Sequence, residues 1–384
     1  MSESKDITIH PSRDADLKKH IELVISGAEN EVELDTDTFS SSDRAIIHEY
    51  CRAVGLYTMS TNSRLGKKIK VMKTQPTHYE VTDEDVEFFV KQGNLPVVHV
   101  SIDTIEYYLK VLSPYFDNCL ESYRGFVKEV QSGLHAQSEM SKVFRLAIEY
   151  IQEKESYQAL RKNPPKLDRG EKLKTSLYQT KNVGKRFLSI DVEKGNFSVL
   201  KKNCPDIFSG SWYNFVSQFT DSEFIRRSKR IREVVFGNLG FSKLANSLQE
   251  HEITAFYNHL YKNYFDIADC LISKCGDEMI FELDDGIDID KLNEVIGTYP
   301  DTFYHIRYFT LRAFDDTPYF YKEYDSEYDD GSIEPRMVPK RYMMQVLKHF
   351  EGKPIIELDL TFTDKTDGHT MVATYKHSIF DKVK

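Results

Sequence analysis

Two short apolar runs that meet across Gly276-Asp277-Glu278 constrain this chain more than any other stretch. Between Asp269 and Leu283 the sequence reads DCLISKCGDEMIFEL. Leu271, Ile272, Met279, Ile280, Phe281 and Leu283 are the residue types that suit a half-buried pleated surface, and Gly276 permits a tight connection. The pattern predicts a β-hairpin with two carboxylates at its tip. Adjacent carboxylates repel, so such a pair is tolerated where both are solvated or where a divalent cation sits between them. A second stretch, RFLSIDVEKGNFSVL from Arg186 to Leu200, carries Phe187, Leu188 and Ile190 in a run that ends in Asp191. It predicts a buried strand with an acid at its C-terminal end.

Strand, aspartate, helical region and then a hairpin with an acidic tip is the order of elements in the palm of nucleotide polymerases and nucleotidyl cyclases, which the second half of this chain resembles. Asp191 resembles the first-motif aspartate. Gly276-Asp277-Glu278 resembles the GDD turn of polymerases or the GGDEF turn of diguanylate cyclases. The resemblance implies that Asp191, Asp277 and Glu278 are catalytic metal ligands, that Mg²⁺ or Mn²⁺ is the cofactor, and that nucleoside triphosphates are substrates. Two ions held by such carboxylates would activate a 3′-hydroxyl and stabilise the leaving pyrophosphate. After Asp191 the chain reads Val-Glu-Lys-Gly-Asn-Phe, without the second aspartate of many RNA-copying enzymes, and Glu193 is the carboxylate that could serve as an extra ligand. The alternative is a strand-terminal turn and an exposed hairpin tip in a different α+β domain.

Between the two acid motifs lies the most basic run of the chain, Arg226-Arg227-Ser228-Lys229-Arg230-Ile231-Arg232, on a predicted helix. In a palm, Arg226, Arg227, Lys229 and Arg230 would face phosphates or nucleotide. A solvated helix paired with the acids around it is the other reading.

The N-terminal region carries its own signal. A helical repeat from Asp16 places Leu17, Ile21, Val24 and Ile25 near one face, with Gly27 where a C-terminal cap falls, and a short strand, Glu31 to Leu34, follows. A serine-rich stretch can cap a helix from Arg44 to Val54, and Leu56 to Ser60 and Lys67 to Lys73 read as a hairpin around Asn62 to Gly66. Inside that helix Arg44 and His48 stand at i and i+4, one turn apart on one face. This Arg-x-x-x-His spacing, with its flanking elements, resembles the R-three-H domain. The resemblance implies binding of single-stranded RNA or DNA, with Arg44, His48, Lys67, Lys68 and Lys70 near phosphate. A solvated edge strand protected by lysine is the plain alternative for the basic positions.

Composition sets the remaining bounds. With 384 residues, 40% of them hydrophobic, the chain has material for two or three domains with real cores. A net charge of −10 means that contact with nucleic acid must come from local basic patches. Five cysteines without C-x-x-C pairs predict a reducing, cytoplasmic compartment. The polar N-terminus and the lack of a long apolar run predict neither a signal peptide nor a membrane span. The expected class is α+β: a flexible start at 1–12, a small α/β nucleic-acid-binding module at 13–74, a helical subdomain at 82–161, a linker at 162–174 and a palm-like antiparallel sheet with helices at 175–384. After the hairpin, a helix is expected from Ile289 to Ile296, a strand from Tyr304 to Phe314, an acidic loop from Asp325 to Asp330, a helix from Lys340 to Phe350, and strands from Pro354 to Phe362 and Met371 to Tyr375. Function is expected to be nucleic-acid binding with palm-type nucleotidyl transfer. The runner-up is a non-enzymatic RNA-binding or adaptor protein with a degenerate palm.

Overall fold

The computed structural model describes residues 14–36, 39–63, 66–73, 79–168, 170–174, 176–208, 210–240, 242–284, 286–300, 303–366 and 369–380. The fold is α+β, with antiparallel sheets and two compact units. One is Met1–Val86 with Glu129–Gly133, the other Glu87–Lys128 with Leu134–Lys384.

The first unit contains α1 (Asp14–Ser26), β1 (Glu31–Asp35), α2 (Ser41–Ala53), β2 (Tyr57–Ser63) and β3 (Gly66–Met72). The strands pair antiparallel in the order β1-β3-β2. Burial alternates strictly along β1, so Val32 and Leu34 point inward while Glu31, Glu33 and Asp35 stay wet. They meet Ile69 and Val71 of β3, Leu17, Ile21 and Val24 of α1, and Ile47 and Cys51 of α2 in one apolar core. The start of α2 is fixed by a capping box, in which the Ser40 hydroxyl accepts from the Asp43 N–H and the Asp43 carboxylate accepts from the Ser40 N–H. Gly27 and Gly55 end the two helices with φ of 77° each, a backbone that favours glycine.

The chain continues through α3 (Asp83–Gln92), α4 (Ile105–Leu112), α5 (Cys119–Gln131), α6 (Ala136–Gln152), α7 (Glu155–Lys162), β4 (Leu173–Lys174) and β5 (Arg186–Val192). Next come α8 (Gly195–Asn203), α9 (Trp212–Val216), α10 (Glu223–Arg227), α11 (Lys229–Asn238) and α12 (Ser242–Asn263). The hairpin strands β6 (Leu271–Cys275) and β7 (Glu278–Leu283) follow, then α13 (Ile289–Gly297), β8 (Tyr304–Ala313), β9 (Phe320–Tyr324) and β10 (Ile333–Arg336). The chain closes with α14 (Met343–Phe350), β11 (Thr361–Thr366) and β12 (His369–Thr374).

Seven strands form the main sheet in the order β10-β9-β8-β5-β7-β6-β4, every pair antiparallel. β5 is central and buried on both faces, which is why its sequence reads as a continuous apolar run. Leu188, Ile190 and Val192 point to a large core with Met279, Phe281 and Leu283 of β7 and helix residues such as Val199, Val235 and Phe256. On the opposite face Phe187 packs with Ile280, Phe309, Leu311 and Tyr324.

Several expectations meet a different outcome. Of the helices expected as a separate subdomain, α6 and α7 share the sheet's core, because Val143, Ala147 and Ile151 of α6 and Tyr157 and Leu160 of α7 are buried in it. The expected linker ends in β4, whose Leu173 and Lys174 pair with Lys274 and Ser273 at the sheet edge. The acidic loop joins β9 to β10, two strands the sequence reading omitted. Of the expected Pro354–Phe362 strand, 357–360 form a 3₁₀ turn and the strand begins at Thr361. There Asp359, 2% exposed, accepts from Lys348 Nζ at 2.8 Å, the Ile356 N–H at 2.8 Å and the Tyr107 hydroxyl at 2.5 Å. A buried charge held this way needs all its partners, and the turn supplies one of them.

Candidate active-site cleft

β5 delivers Asp191 to the end of the sheet, and the β6–β7 turn delivers Asp277 beside it. Register places Asp191 directly opposite Glu278, and the Val192 N–H donates to the Asp277 carbonyl oxygen at 2.8 Å. Gly276 makes this turn with φ of 66°, in the left-handed region where a side chain is strained. Both acids line a cleft of 560 Å³, a size ordinary for a small-molecule site. Its other walls include Gly195 and Asn196 at the start of α8, Lys229 and Arg232 of α11, and Gln249 of α12, with Glu233 and the ion-paired Lys172 and Glu250 also at its lining.

The electrostatics of the cleft are strained in both signs. Burial first, and then the charges of Asp277 and Glu278, push the Asp191 carboxyl up to about 7, while Lys322 and Lys229 pull it back. Asp277 is raised as well, by burial first and then by Glu278. Its side chain has open surface, but that surface lies inside a concavity where surrounding protein displaces bulk water. Across the cleft, burial pushes Arg232 down, and burial and then Arg232 push Lys194 down. Lys194 pairs with Glu193. Among the described residues Lys229 and Arg232 have no hydrogen-bonding or ion-pair partner.

Of the residues expected from sequence, Asp191, Asp277 and Lys229 come together here. Glu278 does not join them. It accepts from the Ser189 hydroxyl at 2.7 Å and pairs with Lys322 at 3.6 Å, and it does not line the cleft. The basic run is not one helix, because Ser228 caps α11, its hydroxyl accepting from the Ile231 N–H, and so separates α10 from α11. Arg226 is bound to the Thr220 carbonyl and Asp221 at 2.9 Å each, Arg227 to Glu223 at 2.5 Å, and Arg230 lies 3.8 Å from Glu233. None of these three arginines lines the cleft. Arg232, Lys194, Asn196 and Gln249 were not assigned from sequence. For Arg232 a signal existed: with Ser228 as the N-cap, Lys229 and Arg232 stand at i and i+3 on one face.

No family model, curated protein or solved structure matches this chain. The site must therefore be judged by its own chemistry. Among the described residues no group of three or more His, Cys, Asp or Glu side chains is arranged to hold a metal ion. Two cleft carboxylates whose proton affinities are both raised, that of Asp191 in part by Asp277, still fit Mg²⁺ or Mn²⁺, because Mg²⁺ commonly takes one or two carboxylates and completes its shell with water and substrate phosphates. Asp191 and Asp277 fit that role. Glu278, committed to Ser189 and Lys322, does not.

In the first unit, Arg44 donates to the Phe39 carbonyl at 2.6 Å. His48 reaches β2 with both ring nitrogens, Nδ1 to Thr58 Oγ1 at 2.6 Å and Nε2 to Ser60 Oγ at 2.7 Å. Lys68 pairs with Glu33 at 2.6 Å and Lys70 with Glu31 at 2.8 Å on the exposed sheet face. The Lys67 side chain and Arg64 lie outside the described residues. Among the described residues no helix is long and apolar enough to cross a membrane.

Proposed function

We propose that this protein is a metal-dependent nucleotidyltransferase of palm type that also binds single-stranded nucleic acid. One observation carries the reading: Asp191 and Asp277 share a cleft with two cations, Lys229 and Arg232, that have no hydrogen-bonding or ion-pair partner among the described residues. Paired acids facing paired cations suit a polyanionic substrate whose phosphates are divided between a divalent ion and direct cationic contacts. Lys229 and Arg232 would bind phosphate oxygens, Arg232 through its planar fork. Lys194 closes the same wall, in a left-handed conformation with φ of 54° and no side-chain cap on α8. Asp191 and Asp277 would hold Mg²⁺ or Mn²⁺, which when bound supplies activation of the attacking hydroxyl and stabilisation of the leaving pyrophosphate. The Val192–Asp277 main-chain bond fixes the spacing of the two acids.

Single-stranded RNA or DNA is the proposed partner of the first unit. Lys68 and Lys70 are half-exposed, and their ion pairs with the exposed Glu33 and Glu31 are of the weak surface kind that phosphates can replace. A labelled-nucleotide incorporation assay with magnesium or manganese and single-stranded templates tests the enzyme reading, with Asp277→Asn as the inactive control. The second reading, a non-enzymatic RNA-binding or adaptor protein, is favoured by the commitment of Glu278 to Ser189 and Lys322. Template binding without incorporation under any metal condition would select it.

A further inference from the structure

The floor of the cleft carries an amide pair, half of whose polar atoms have no hydrogen-bond partner among the described residues. Gln249, 6% exposed, lies across the start of α8, where its Nε2 donates to Asn196 Oδ1 at 2.9 Å. Gly195 makes the room. A Cβ at that position would stand 2.8 Å from Gln249 Nε2 and 3.4 Å from Asp277 Oδ2, so a side chain there would displace the amide and crowd the acid. Among the described residues neither Gln249 Oε1 nor Asn196 Nδ2 has a hydrogen-bond partner, and both residues line the cleft. The pair therefore offers one acceptor and one donor. Turning both amides over exchanges the two roles and leaves the pattern intact.

Position selects what this pair meets. On the nucleotide reading the reacting phosphate would sit at the acids, and the group bonded next to it, away from the leaving pyrophosphate, would be the sugar. A base lies further out. Sugar hydroxyls each donate one hydrogen bond and accept others, which matches a donor and an acceptor set side by side. Gln249 is buried and Asn196 half-buried at the wall of the cleft, where a ligand hydroxyl or water can complete their unused bonding sites. We propose that Gln249 and Asn196 form a sugar-hydroxyl recognition site, making this cleft selective for nucleoside triphosphates that carry ribose hydroxyls. The assignment rests on the nucleotide reading of the cleft.

Equilibrium binding to the full chain tests it with three probes: ATP, 2′,3′-dideoxy-ATP and inorganic triphosphate, each with magnesium. Gln249→Ala and Asn196→Ala should each weaken ATP by about tenfold and leave dideoxy-ATP and triphosphate unchanged, the coupling expected of a hydrogen bond to the missing hydroxyl. Asn196 is less buried than Gln249, so its variant guards against loss of fold, and melting curves check both. Equal losses on ATP and dideoxy-ATP would overturn the proposal and make the amide pair structural. If the wild type binds triphosphate but holds ATP no better than dideoxy-ATP, the sugar site falls and the phosphate cleft stands. Failure of all three probes would remove the nucleotide reading itself, and this inference with it.

Discussion

The main-chain N–H of Val192 donates to the carbonyl oxygen of Asp277 across 2.8 Å, so the residue after one cleft acid is fixed to the backbone that carries the other. Side-chain changes at either acid should therefore alter charge and leave the spacing in place. Asp277→Asn is expected to abolish nucleotidyl transfer and, in metal-free buffer, to leave the melting temperature unchanged or slightly raised, since it relieves repulsion. Magnesium should raise the melting temperature of the wild type by mass action and not that of the variant. Equal shifts for both across a magnesium and manganese titration would remove the metal from this site.

Asp191 gives a pH dependence of defined sign. Its carboxyl is pushed up to about 7 from an unfolded value of 3.8, so the native state holds the proton more tightly than the unfolded chain. The associated stability is present below the unfolded value and is lost as pH rises through the folded one. In chelator, the wild type should lose ~2 kcal/mol between pH 4 and 7 relative to Asp191→Asn, a figure discounted for solvent that reaches the cleft. Urea melts at several pH values measure this. Parallel curves for the two proteins would show that the carboxyl is not crowded.

The basic run should divide by function along the break at Ser228. Lys229→Ala and Arg232→Ala are each expected to weaken ATP about tenfold and to flatten the salt dependence of binding. Arg227→Ala should do neither, because its partner Glu223 is on the same surface helix. Fluorescence titrations at two salt concentrations separate the cases, and a loss at Arg227 matching that at Arg232 would contradict the geometry.

The buried pair at the C-terminal segment predicts an asymmetry in stability. Asp359→Ala strands the Lys348 ammonium, 7% exposed at its side chain, beside Tyr107, and should cost about 3–5 kcal/mol by urea denaturation. The double variant Lys348→Met with Asp359→Leu removes both charges and should cost much less. Additive losses would argue that each charge has partners of its own.

Binding of single strands by the full chain should fall with salt. Lys70→Glu should weaken it with little effect on the melting temperature, since the Glu31 pair is a surface one. Arg44→Glu removes a bond to the Phe39 carbonyl and should lower both affinity and stability. Retention of single-stranded oligonucleotides that neither substitution changes would make this module structural.

Local pattern was enough for much of the architecture. The β6–β7 hairpin, β5 ending in Asp191 and the helix holding Arg44 and His48 all follow from periodicity and from cap and turn residues that act within a few positions of themselves. Strands β9 and β10 were missed because Lys322, Glu323, Glu334 and Arg336 interrupt the apolar signal, and the sheet pairs such groups across strands, Glu323 with Arg312 of β8 and Glu334 with the Tyr324 hydroxyl of β9. The partner of Glu278 was illegible for the same reason: Lys322 reaches it only because β9, β8, β5 and β7 lie side by side.

Burial preference, turn chemistry and charge order are local properties, so the chain alone set the identity of many of its elements, though not of β4, β9 and β10, and placed Asp191 and Asp277 at strand ends. Which groups surround those acids depends on register and helix packing between segments far apart in the chain. Tertiary structure turned Lys229 and Arg232 into the cleft, left Arg226, Arg227 and Arg230 in surface bonds, gave Glu278 to Ser189 and Lys322, and laid Gln249 over the space that Gly195 leaves open. Contacts of that kind are fixed by the closed packing of the whole sheet and its helices, and no window of sequence contains them.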